Sequence, residues 1–445
     1  MDKNQSAHQS ASTAANRRQF LAEGSLAIAG AAIVTSGSIA NAAHPFGDDT
    51  IKIGLIGAGG RGTQAAYQAL STEGNVKLIA VGDAFRDRID GCLGDRTLQE
   101  RGDRIDVPEE RKFAGFDAYQ KVIDSGVDLV ILTTPPGFRP IHFEAAVIAG
   151  KHVFMEKPVA VDAPGIRRVL AAAEVAKAKE LGVGVGLQRR HDASYIETVK
   201  QIQEGALGDI GLTRVYWNGG GVWTKPRTPE QSEMEYQMRN WYYFNWLCGD
   251  HICEQHIHNI DVSNWLKKMT PTKAEGMGGR EVRKGKDHGQ IFDHHMVEFT
   301  YPDGSTMLSC CRHQPGCWSQ VAEFCHGTKG SSKIGSGRLV GKDGEQFWRF
   351  RGKGKNPYQQ EHDDLFASIR NGTPLNEAEY GATSTMTAIL GRMATYSGKV
   401  VTWDEATNSD INLAPAEYAW EATPPVVPDG SGSYPVPVPG KTVVV

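Results

Sequence analysis

The sequence predicts an α/β protein with two folded domains, the first of them built on a parallel sheet. The chain has 445 residues, more than one ordinary domain needs, and its 40% hydrophobic content is enough for a sizeable core. From residue 51 onward, apolar runs alternate with helix-like stretches, as parallel strands joined by crossover helices do. Residues 294–311 contain two β-like runs around a Pro-Asp-Gly turn, which predicts antiparallel strands in a second domain.

Charge excludes several classes of protein. The formal net charge is −4, and the lysines and arginines are scattered along the chain rather than clustered. We therefore expect neither a nucleic-acid partner nor a membrane-surface patch. A protein that acts on small molecules is the expectation that remains.

Residues 1–42 are predicted to be a twin-arginine export signal outside the fold. Arg17 and Arg18 precede an apolar run of modest hydrophobicity, and the small residues 40–42 suit cleavage after Ala42. An amphipathic or membrane helix fits less well, because the run is short and interrupted by Gly and Ser. We expect an exported protein, periplasmic or otherwise extracytoplasmic, with no membrane span in its mature form.

The mature chain opens with a strand-like run at residues 51–56, a glycine-rich turn and a helix-like stretch. The turn comprises Gly57, Ala58, Gly59, Gly60, Arg61 and Gly62. A second apolar run ends at Asp83, about 20 residues past Gly62, where a dinucleotide fold places the acid that binds the adenosine ribose. The glycines would let a pyrophosphate reach backbone N–H groups at the helix N-terminus. Asp83 would repel a 2′-phosphate, so NAD is the predicted cofactor, and Arg86 keeps NADP open.

Further strands are predicted at residues 127–135 and 152–158, with a helix-like stretch at 141–150 between them. Ligands of parallel sheets bind at the carboxyl ends of the strands. The residues predicted at those ends are Thr133, Thr134, Pro135, Glu156, Lys157 and Pro158. Lys157 could be an ordinary surface lysine, but a strand end beside the nicotinamide favours a functional role.

The polar segment 247–266 poses a choice between a metal site, a proton-transfer site and a plain polar helix. If the segment is helical, His251, Glu254, His258 and Asp261 share one stripe and His256 points the other way. Its spacing does not match the zinc-protease helix. We predict proton transfer and no metal.

Cysteines leave the metal alternative open. The chain has seven, an odd number without the spacing of a disulfide framework. Cys248 and Cys253 flank His251, which gives metal ligation some support.

Alcohol oxidation would use this segment directly. Moving a hydride from a secondary alcohol to a nicotinamide requires a base with a pKa near neutrality beside the hydroxyl, and His258 suits that role. Lys157 would stabilise the developing alkoxide, and Glu254 or Asp261 would orient the imidazole.

The substrate is predicted from residues 217–246, which are rich in Trp, Tyr and Gly. Four side chains near the polar segment are candidates for contact with a sugar ring: Arg239, Trp241, Tyr242 and Tyr243. The alternative interpretation is that these aromatic residues form an ordinary interface or core cluster.

Several motifs occur together in order: the glycine turn, "TTPPGFRPIHFEAAVIAGKHVFMEKP", "VGLQRRHD", and His258-x-x-Asp261. From about residue 51 to 405 the chain resembles the Gfo/Idh/MocA family of nicotinamide-dependent oxidoreductases. The resemblance implies a reactive trio of Lys157, Glu254 and His258, with Glu254 in place of the family's Asp. It also implies cofactor contacts from Gly57, Gly59, Gly60, Arg61, Gly62, Asp83, Arg86, Thr134, Pro135, His142, Glu156, Lys157 and Gln188, and substrate contacts from Arg190 and Asp261.

The resemblance further implies how the chain is divided. A Rossmann NAD-binding domain at 43–190 would precede an α+β domain at 191–356 with a large open, mostly antiparallel sheet. Helices at 357–405 would pack back on the first domain, and 406–445 would be an extended Pro- and Val-rich tail. The open sheet would make a homodimer or homotetramer.

Three functions follow from this sequence. The first is an exported NAD-dependent oxidoreductase acting on a sugar or cyclitol hydroxyl. The second is an NAD-dependent glycoside hydrolase that oxidises C3 transiently and reduces it back. The third, a non-catalytic sugar-binding protein, is disfavoured by the intact Lys157 and His258.

Overall fold

Two β-sheets organise residues 49–445, the part of the chain that this computed structural model describes. The predicted export signal and its cleavage site lie outside these residues. Described residues contain no helix with both the length and the apolar content needed to cross a bilayer.

The first sheet has six parallel strands in the order β3-β2-β1-β4-β5-β6. Its strands are β1 (Ile51–Ile56), β2 (Val76–Asp83), β3 (Lys112–Ala114), β4 (Leu129–Leu132), β5 (His152–Met155) and β6 (Val183–Val185). The strand order reverses between β1 and β4, so the connections that leave these two strands run to opposite faces of the sheet and leave a crevice at the carboxyl ends. This opening is where a doubly wound sheet binds its ligand. The predicted parallel α/β domain is confirmed.

The second sheet has nine strands in the order β14-β13-β12-β11-β7-β10-β9-β8-β15. Its strands are β7 (Ile210–Gly219), β8 (Lys273–Gly279), β9 (His294–Thr300), β10 (Thr306–His313), β11 (Gln320–Gly327), β12 (Gly330–Lys333), β13 (Arg338–Gly341), β14 (Gln346–Arg349) and β15 (Val401–Thr402). Every neighbouring pair is antiparallel except β7 and β10. The large, mostly antiparallel sheet is therefore confirmed, and β9 and β10 flank the expected Pro-Asp-Gly turn.

Helices surround both sheets. In chain order they are α1 (Gly60–Ala69), α2 (Arg86–Leu93), α3 (Arg96–Gln99), α4 (Ala118–Ile123), α5 (Arg139–Ile148), α6 (Ala163–Ala178), α7 (Ala193–Gln203), α8 (Glu233–Arg239), α9 (Asn245–Cys248), α10 (His251–Glu254), α11 (Ile257–Lys267), α12 (Pro357–Arg370), α13 (Ala378–Ser397) and α14 (Trp403–Thr407). Short 3-10 turns occur at Gly102–Arg104, Glu109–Arg111, Pro136–Phe138, Gln188–His191, Trp241–Tyr243, Lys286–His288 and Ile334–Ser336.

Helix α13 joins the two sheets into one core. It is buried on nearly all sides and packs against α6 on one side and against β8 and β9 on the other. A helix that is buried all round lies inside a protein rather than on its surface. Helix α12 packs against α1 and β6, so these late helices contact the first sheet.

Residues 408–445 contain neither helix nor strand, yet their aromatic side chains pack on the folded body. Trp420 lies 4.7 Å from Phe116, measured between ring centroids, and Tyr418 lies 5.3 Å from Phe138. Tyr434 meets Phe244 at 4.9 Å. These contacts anchor an otherwise extended segment through large apolar surfaces.

Candidate active site

The glycine-rich turn joins β1 to α1, and two of its glycines have no room for a side chain. Gly57 has a φ of +99°, and a Cβ there would lie 2.5 Å from the backbone nitrogen of Thr134. A Cβ on Gly62 would lie 1.9 Å from the carbonyl oxygen of Gly57. A Cβ on Gly59 or Gly60 would have no atom within 4 Å beyond its neighbours in the chain, so both glycines border open space. The N-terminus of α1 favours a phosphate in that space, because its N–H groups and dipole attract anions.

Asp83 ends β2 and stands where a ribose contact is expected. Its Oδ2 accepts a hydrogen bond of 2.7 Å from the Ala58 N–H, and its Oδ1 accepts one of 2.9 Å from the Phe85 N–H. Burial raises the pKa of Asp83, although both hydrogen bonds act in the opposite direction. Each carboxylate oxygen keeps a second lone pair, which is what two ribose hydroxyls need.

Arg86, predicted to contact the cofactor, pairs with two carboxylates in this structure. Its Nε donates to Asp90 at 3.0 Å, and its Nη2 lies 2.5 Å from Glu109, on the exposed side of α2. Two positions further along the helix, Arg88 lines the cavity beside Asp83. Successive helix positions point about 100° apart, so the choice between the two arginines depended on where α2 begins.

A cavity of about 520 Å³ lies at the carboxyl ends of the first sheet. Nine of the predicted cofactor residues line it, namely Gly57, Gly59, Gly60, Arg61, Gly62, Asp83, Thr134, Pro135 and His142. The opposite wall comes from later in the chain and consists of Trp223, Lys225, Met238, Arg239 and Trp241. The cavity is therefore enclosed by both domains, which suits a ligand the size of a dinucleotide.

Two polar groups near the strand ends match a nicotinamide cofactor. His142 stacks on Tyr119 at 4.3 Å, and burial lowers its pKa to about 3, so the ring is neutral. Gln188 donates to the Tyr358 hydroxyl at 2.9 Å, while its buried Oε1 has no partner among the described residues. An unpaired buried acceptor of this kind is suited to a carboxamide N–H.

Arg139 connects the cavity wall at Thr134 to Glu156, the residue before the predicted reactive lysine. Its guanidinium donates to the carbonyls of Thr134, at 2.6 Å, and Glu156, at 2.9 Å, which follow β4 and β5 respectively. Glu156 also binds Arg61 at 2.5 Å instead of lining the cavity itself. Lys157 comes next in the chain and is thereby held beside the cavity wall.

Lys157, Glu254 and His258 come together as the trio that the sequence predicts, but their pairing differs from the expected one. The Lys157 Nζ donates to the Glu254 carbonyl at 2.5 Å and to its Oε1 at 3.0 Å. Glu254 therefore binds the lysine, and the structure shows no hydrogen bond from it to His258.

His258 is held by packing. Its ring stacks on Trp217 at 5.9 Å, its Nδ1 has no partner among the described residues, and 6% of the residue stays exposed. Burial first, and then the charge of Lys157, hold the pKa of His258 well below its usual range. The imidazole is therefore neutral at pH 7 and keeps a lone pair that can accept a proton, but its pKa lies below the near-neutral range expected for the base.

The segment around these residues is three short helices rather than one. A turn at Gly249 and Asp250, both with positive φ, separates α9 from α10, and residues 255–256 separate α10 from α11. The predicted common stripe is therefore wrong: His251 points into a separate cluster, and His256 binds Ser309 at 2.8 Å. The turn could not be foreseen from periodicity, because Asp250 is held by tertiary contacts.

Arg190 and Asp261 do not face a substrate as predicted. The guanidinium binds the carboxylate with two bonds, 2.9 Å from Nε and 2.8 Å from Nη2, and Ser384 donates to Asp261 at 2.7 Å. Asp261 is 1% exposed, and Arg190 lies 3.9 Å from the centre of the Tyr380 ring. This paired ion cluster fixes α11 in place, which is a structural task.

The aromatic candidates divide between two places. Arg239 and Trp241 line the cofactor cavity, and Arg239 stacks 3.9 Å over Phe85 and pairs with Asp87. The Tyr243 hydroxyl donates to a backbone carbonyl, so it is already engaged. Tyr242 alone of these four keeps a buried hydroxyl without a partner.

Tyr242 therefore remains the aromatic candidate for binding substrate. Burial raises its pKa well above 10, and Glu254 is the neighbouring charge that adds most to the effect. Its hydroxyl is a neutral donor that lies near the reactive trio.

Comparison with known proteins identifies the first domain. Residues 51–185 match the family model described as the oxidoreductase family with an NAD-binding Rossmann fold, Gfo/Idh/MocA. An inositol 2-dehydrogenase of Rhizobium meliloti is 24% identical over 336 residues, 73% of this chain and 91% of the relative. Further inositol 2-dehydrogenases are 26–29% identical, and the aligned parts span 53–63% of their own length.

Two solved structures share the whole two-domain fold. The aldose-aldose oxidoreductase of Caulobacter crescentus, complexed with glycerol, is 19% identical with a TM-score of 0.61 and covers 79% of this chain and 99% of its own. The scyllo-inositol dehydrogenase of Lactobacillus casei, with bound NAD(H) and scyllo-inositol, is 22% identical with a TM-score of 0.61 and covers 80% and 99%. At this identity the likeness establishes the fold.

Proposed function

We propose that the protein, whose residues 51–185 match the NAD-binding Rossmann fold of the Gfo/Idh/MocA oxidoreductase family, oxidises or reduces a sugar or cyclitol hydroxyl with NAD. The observation that carries the proposal is the buried His258 near Lys157, which directly follows Glu156; Arg139 binds the Glu156 carbonyl and also the carbonyl of Thr134 in the cavity wall. A proton acceptor and a cation close to a hydride acceptor are the groups that alcohol oxidation needs.

The residues divide the work between them. NAD, when bound, supplies the hydride acceptor. His258 accepts the hydroxyl proton at its imidazole, and the Lys157 ammonium stabilises the negative charge that develops on the oxygen. Glu254 holds the ammonium through its carbonyl and carboxylate, so the cation is already in position before substrate binds.

The substrate class rests on the unpaired Tyr242 hydroxyl and on the relatives. Several curated relatives are named inositol 2-dehydrogenases, and a structural relative holds scyllo-inositol. A polyhydroxylated ring would offer hydroxyls to Tyr242 and apolar C–H faces to neighbouring aromatic rings. Inositols are therefore the first substrates to test, followed by aldoses.

One observation favours the second function, the redox-assisted glycoside hydrolase. Trp223 and Trp241 of the second domain wall the cofactor cavity, and Trp420 of the tail packs on Phe85 and Phe116 behind it. A cofactor enclosed in this way would leave slowly, as an enzyme needs if it returns the hydride to the same sugar in each cycle. A net dehydrogenase must instead exchange its cofactor on every turnover.

One assay separates the dehydrogenase, the glycoside hydrolase and the binding protein. The protein is incubated with NAD and a panel of inositols, aldoses and aryl glycosides, with His258→Ala as a matched blank. Reduced cofactor in proportion to a keto product supports the dehydrogenase, whereas aglycone release without net reduction supports the hydrolase. Bound NAD with neither signal across the panel would support the binding protein instead.

Export and assembly complete the proposal. The Arg17-Arg18 signal supports transport to the periplasm, which fractionation and the mass of the mature N-terminus would test.

The second sheet carries exposed Met277 and Met296 in register across β8 and β9, which supports pairing of two copies through this face. Changing both to Lys should lower the oligomeric mass in light scattering, whereas Met269→Lys, at an exposed methionine outside the sheet, should not.

A further inference from the structure

We propose that Asp250, His251 and His295 form a binding site for one divalent metal ion, with zinc the best match, outside the NAD site and independent of the reaction proposed above. The Oδ1 of Asp250 lies 3.3 Å from the Nε2 of His295 and 3.9 Å from the Nε2 of His251. One ligand atom from each residue lies within 4.8 Å of the others. This inference departs from the absence of metal that the sequence predicts.

Unpaired nitrogens are the main evidence. Both ring nitrogens of His251 are buried without a hydrogen-bond partner among the described residues, and the buried Nε2 of His295 has only its ion-pair contact with Asp250 at 3.3 Å. Both rings lie in the interior, at 0% and 2% exposure. Buried polar atoms are nearly always bonded, so lone pairs without a partner that converge on a carboxylate call for a bound group.

The spacing suits a small divalent cation. Ligand atoms about 2.0–2.1 Å from a tetrahedral zinc lie roughly 3.3–3.4 Å apart, so the Asp250–His295 distance already fits. The Asp250–His251 distance of 3.9 Å would have to shorten by about half an ångström, a change that a small movement of the His251 ring supplies. Two imidazoles and one carboxylate favour zinc or another first-row ion over calcium or magnesium, which prefer oxygen ligands.

A second layer of contacts orients the ligands as known metal sites require. The Nδ1 of His295 lies 2.9 Å from the Thr395 hydroxyl, which leaves its Nε2 to face Asp250. The other oxygen of Asp250 accepts from Tyr396 at 2.5 Å and from the Phe292 N–H at 2.9 Å. These bonds hold Asp250 at a φ of +71°, a backbone conformation that residues other than glycine rarely adopt.

Charge around the cluster is mixed. The buried guanidinium of Arg283 donates to the His313 Nδ1 at 2.5 Å, and its positive charge opposes a bound cation. The buried carboxylate of Asp293 accepts from the backbone N–H of Arg283 and adds a second negative charge. The His313 ring stacks on His251 at 4.3 Å. The cysteines that flank His251 take no part in the cluster, and Cys248 instead accepts from the Asp250 N–H.

The metal would be structural, because all three ligands are buried. It would link the turn before α10 to strand β9. These elements lie about 40 residues apart in the chain, and the metal would close the loop between them. Since α10 carries Glu254, the ion would steady the reactive segment without touching the substrate.

Metal content is the direct test. The full chain, purified without a histidine tag, is analysed by inductively coupled plasma mass spectrometry together with His251→Gln, His295→Gln and the control His256→Gln. His256 is an equally buried imidazole outside the cluster, bound to Ser309. We expect about one zinc per chain in the wild type and the control, and a large loss in both ligand variants.

A second measurement covers variants that fail to fold. Wild-type protein stripped with a chelator is titrated with Co²⁺, whose visible absorption reports nitrogen and oxygen ligands, and Thr395→Val should bind it roughly 10–100-fold more weakly. A wild type that holds no metal and takes up neither zinc nor cobalt would overturn the proposal. Equal metal content in the wild type, His251→Gln and His295→Gln would do the same.

Discussion

The cofactor turn at residues 57–62 is shaped by its own backbone, whereas the reactive segment at residues 245–267 is held by side chains from distant parts of the chain. In the turn, a Cβ on Gly62 would meet the carbonyl of Gly57, only five residues away. In the segment, Glu254 is held by Lys157, 97 residues earlier, and Asp261 by Arg190, 71 residues earlier. Backbone sterics determine the first region, both within the turn and between Gly57 and Thr134, whereas long-range ion pairs determine the second.

The comparison also explains which roles changed. Only glycine tolerates the positive φ of Gly57 and the close contact at Gly62, so the glycine pattern marks this turn and the residues that line its cavity could be named in advance. A polar residue in the segment has several partners within reach, and the one it binds depends on packing. Glu254 or Asp261 was expected to orient His258, whereas in the structure each carboxylate binds a cation.

The largest effect we expect is from His258→Ala. Removing the proton acceptor should lower kcat by roughly 10²–10⁴-fold, the usual contribution of a general base, while NAD binding stays nearly unchanged. His256→Gln, at a buried imidazole bound to Ser309, is the matched control and should keep most of the rate. Steady-state kinetics and calorimetric titration with NAD measure both quantities, and parallel loss of NAD binding would return His258 to a structural role.

Next in size is the effect of Asp261→Asn. Because it breaks a buried ion pair, it should lower the free energy of unfolding by about 3 kcal/mol. Urea denaturation would show the loss, and Arg190→Met should show a loss of the same order, with the double variant less than additive. A strong fall in kcat at unchanged stability would instead assign Asp261 to the chemistry.

A smaller effect is expected from Gly62→Ala. The added methyl group would overlap the Gly57 carbonyl and distort the turn, costing about 1–3 kcal/mol and weakening NAD binding. Gly91→Ala is the control, because it lies exposed in α2 with nothing near its Cβ position. We expect that control to be slightly more stable than wild type, by about 0.4–1 kcal/mol. Unchanged NAD affinity in Gly62→Ala would show that the second domain, rather than the turn, holds the cofactor.

The smallest effect concerns cofactor choice. Arg88 lines the cavity beside Asp83 and is the cation available to a 2′-phosphate, so Arg88→Ala should weaken NADP binding by up to about five-fold and leave NAD binding alone. Arg86→Ala should change neither affinity, since Arg86 pairs with Asp90 and Glu109. Fluorescence titration with both reduced cofactors tests this, and the reverse pattern would restore the role first expected for Arg86.

The sequence by itself determined the parallel first sheet, the strand β1 at Ile51–Ile56, the glycine turn and Asp83, because each follows from periodicity or sterics within a short stretch. It also brought Lys157 and His258 into one hypothesis. Only the tertiary structure decided that Arg88, rather than Arg86, lines the cavity and that Glu254 binds Lys157. It also decided that Asp250, His251 and His295 lie together. These outcomes depend on the exact start of a helix and on partners up to about 100 residues away, and neither is encoded in a local pattern.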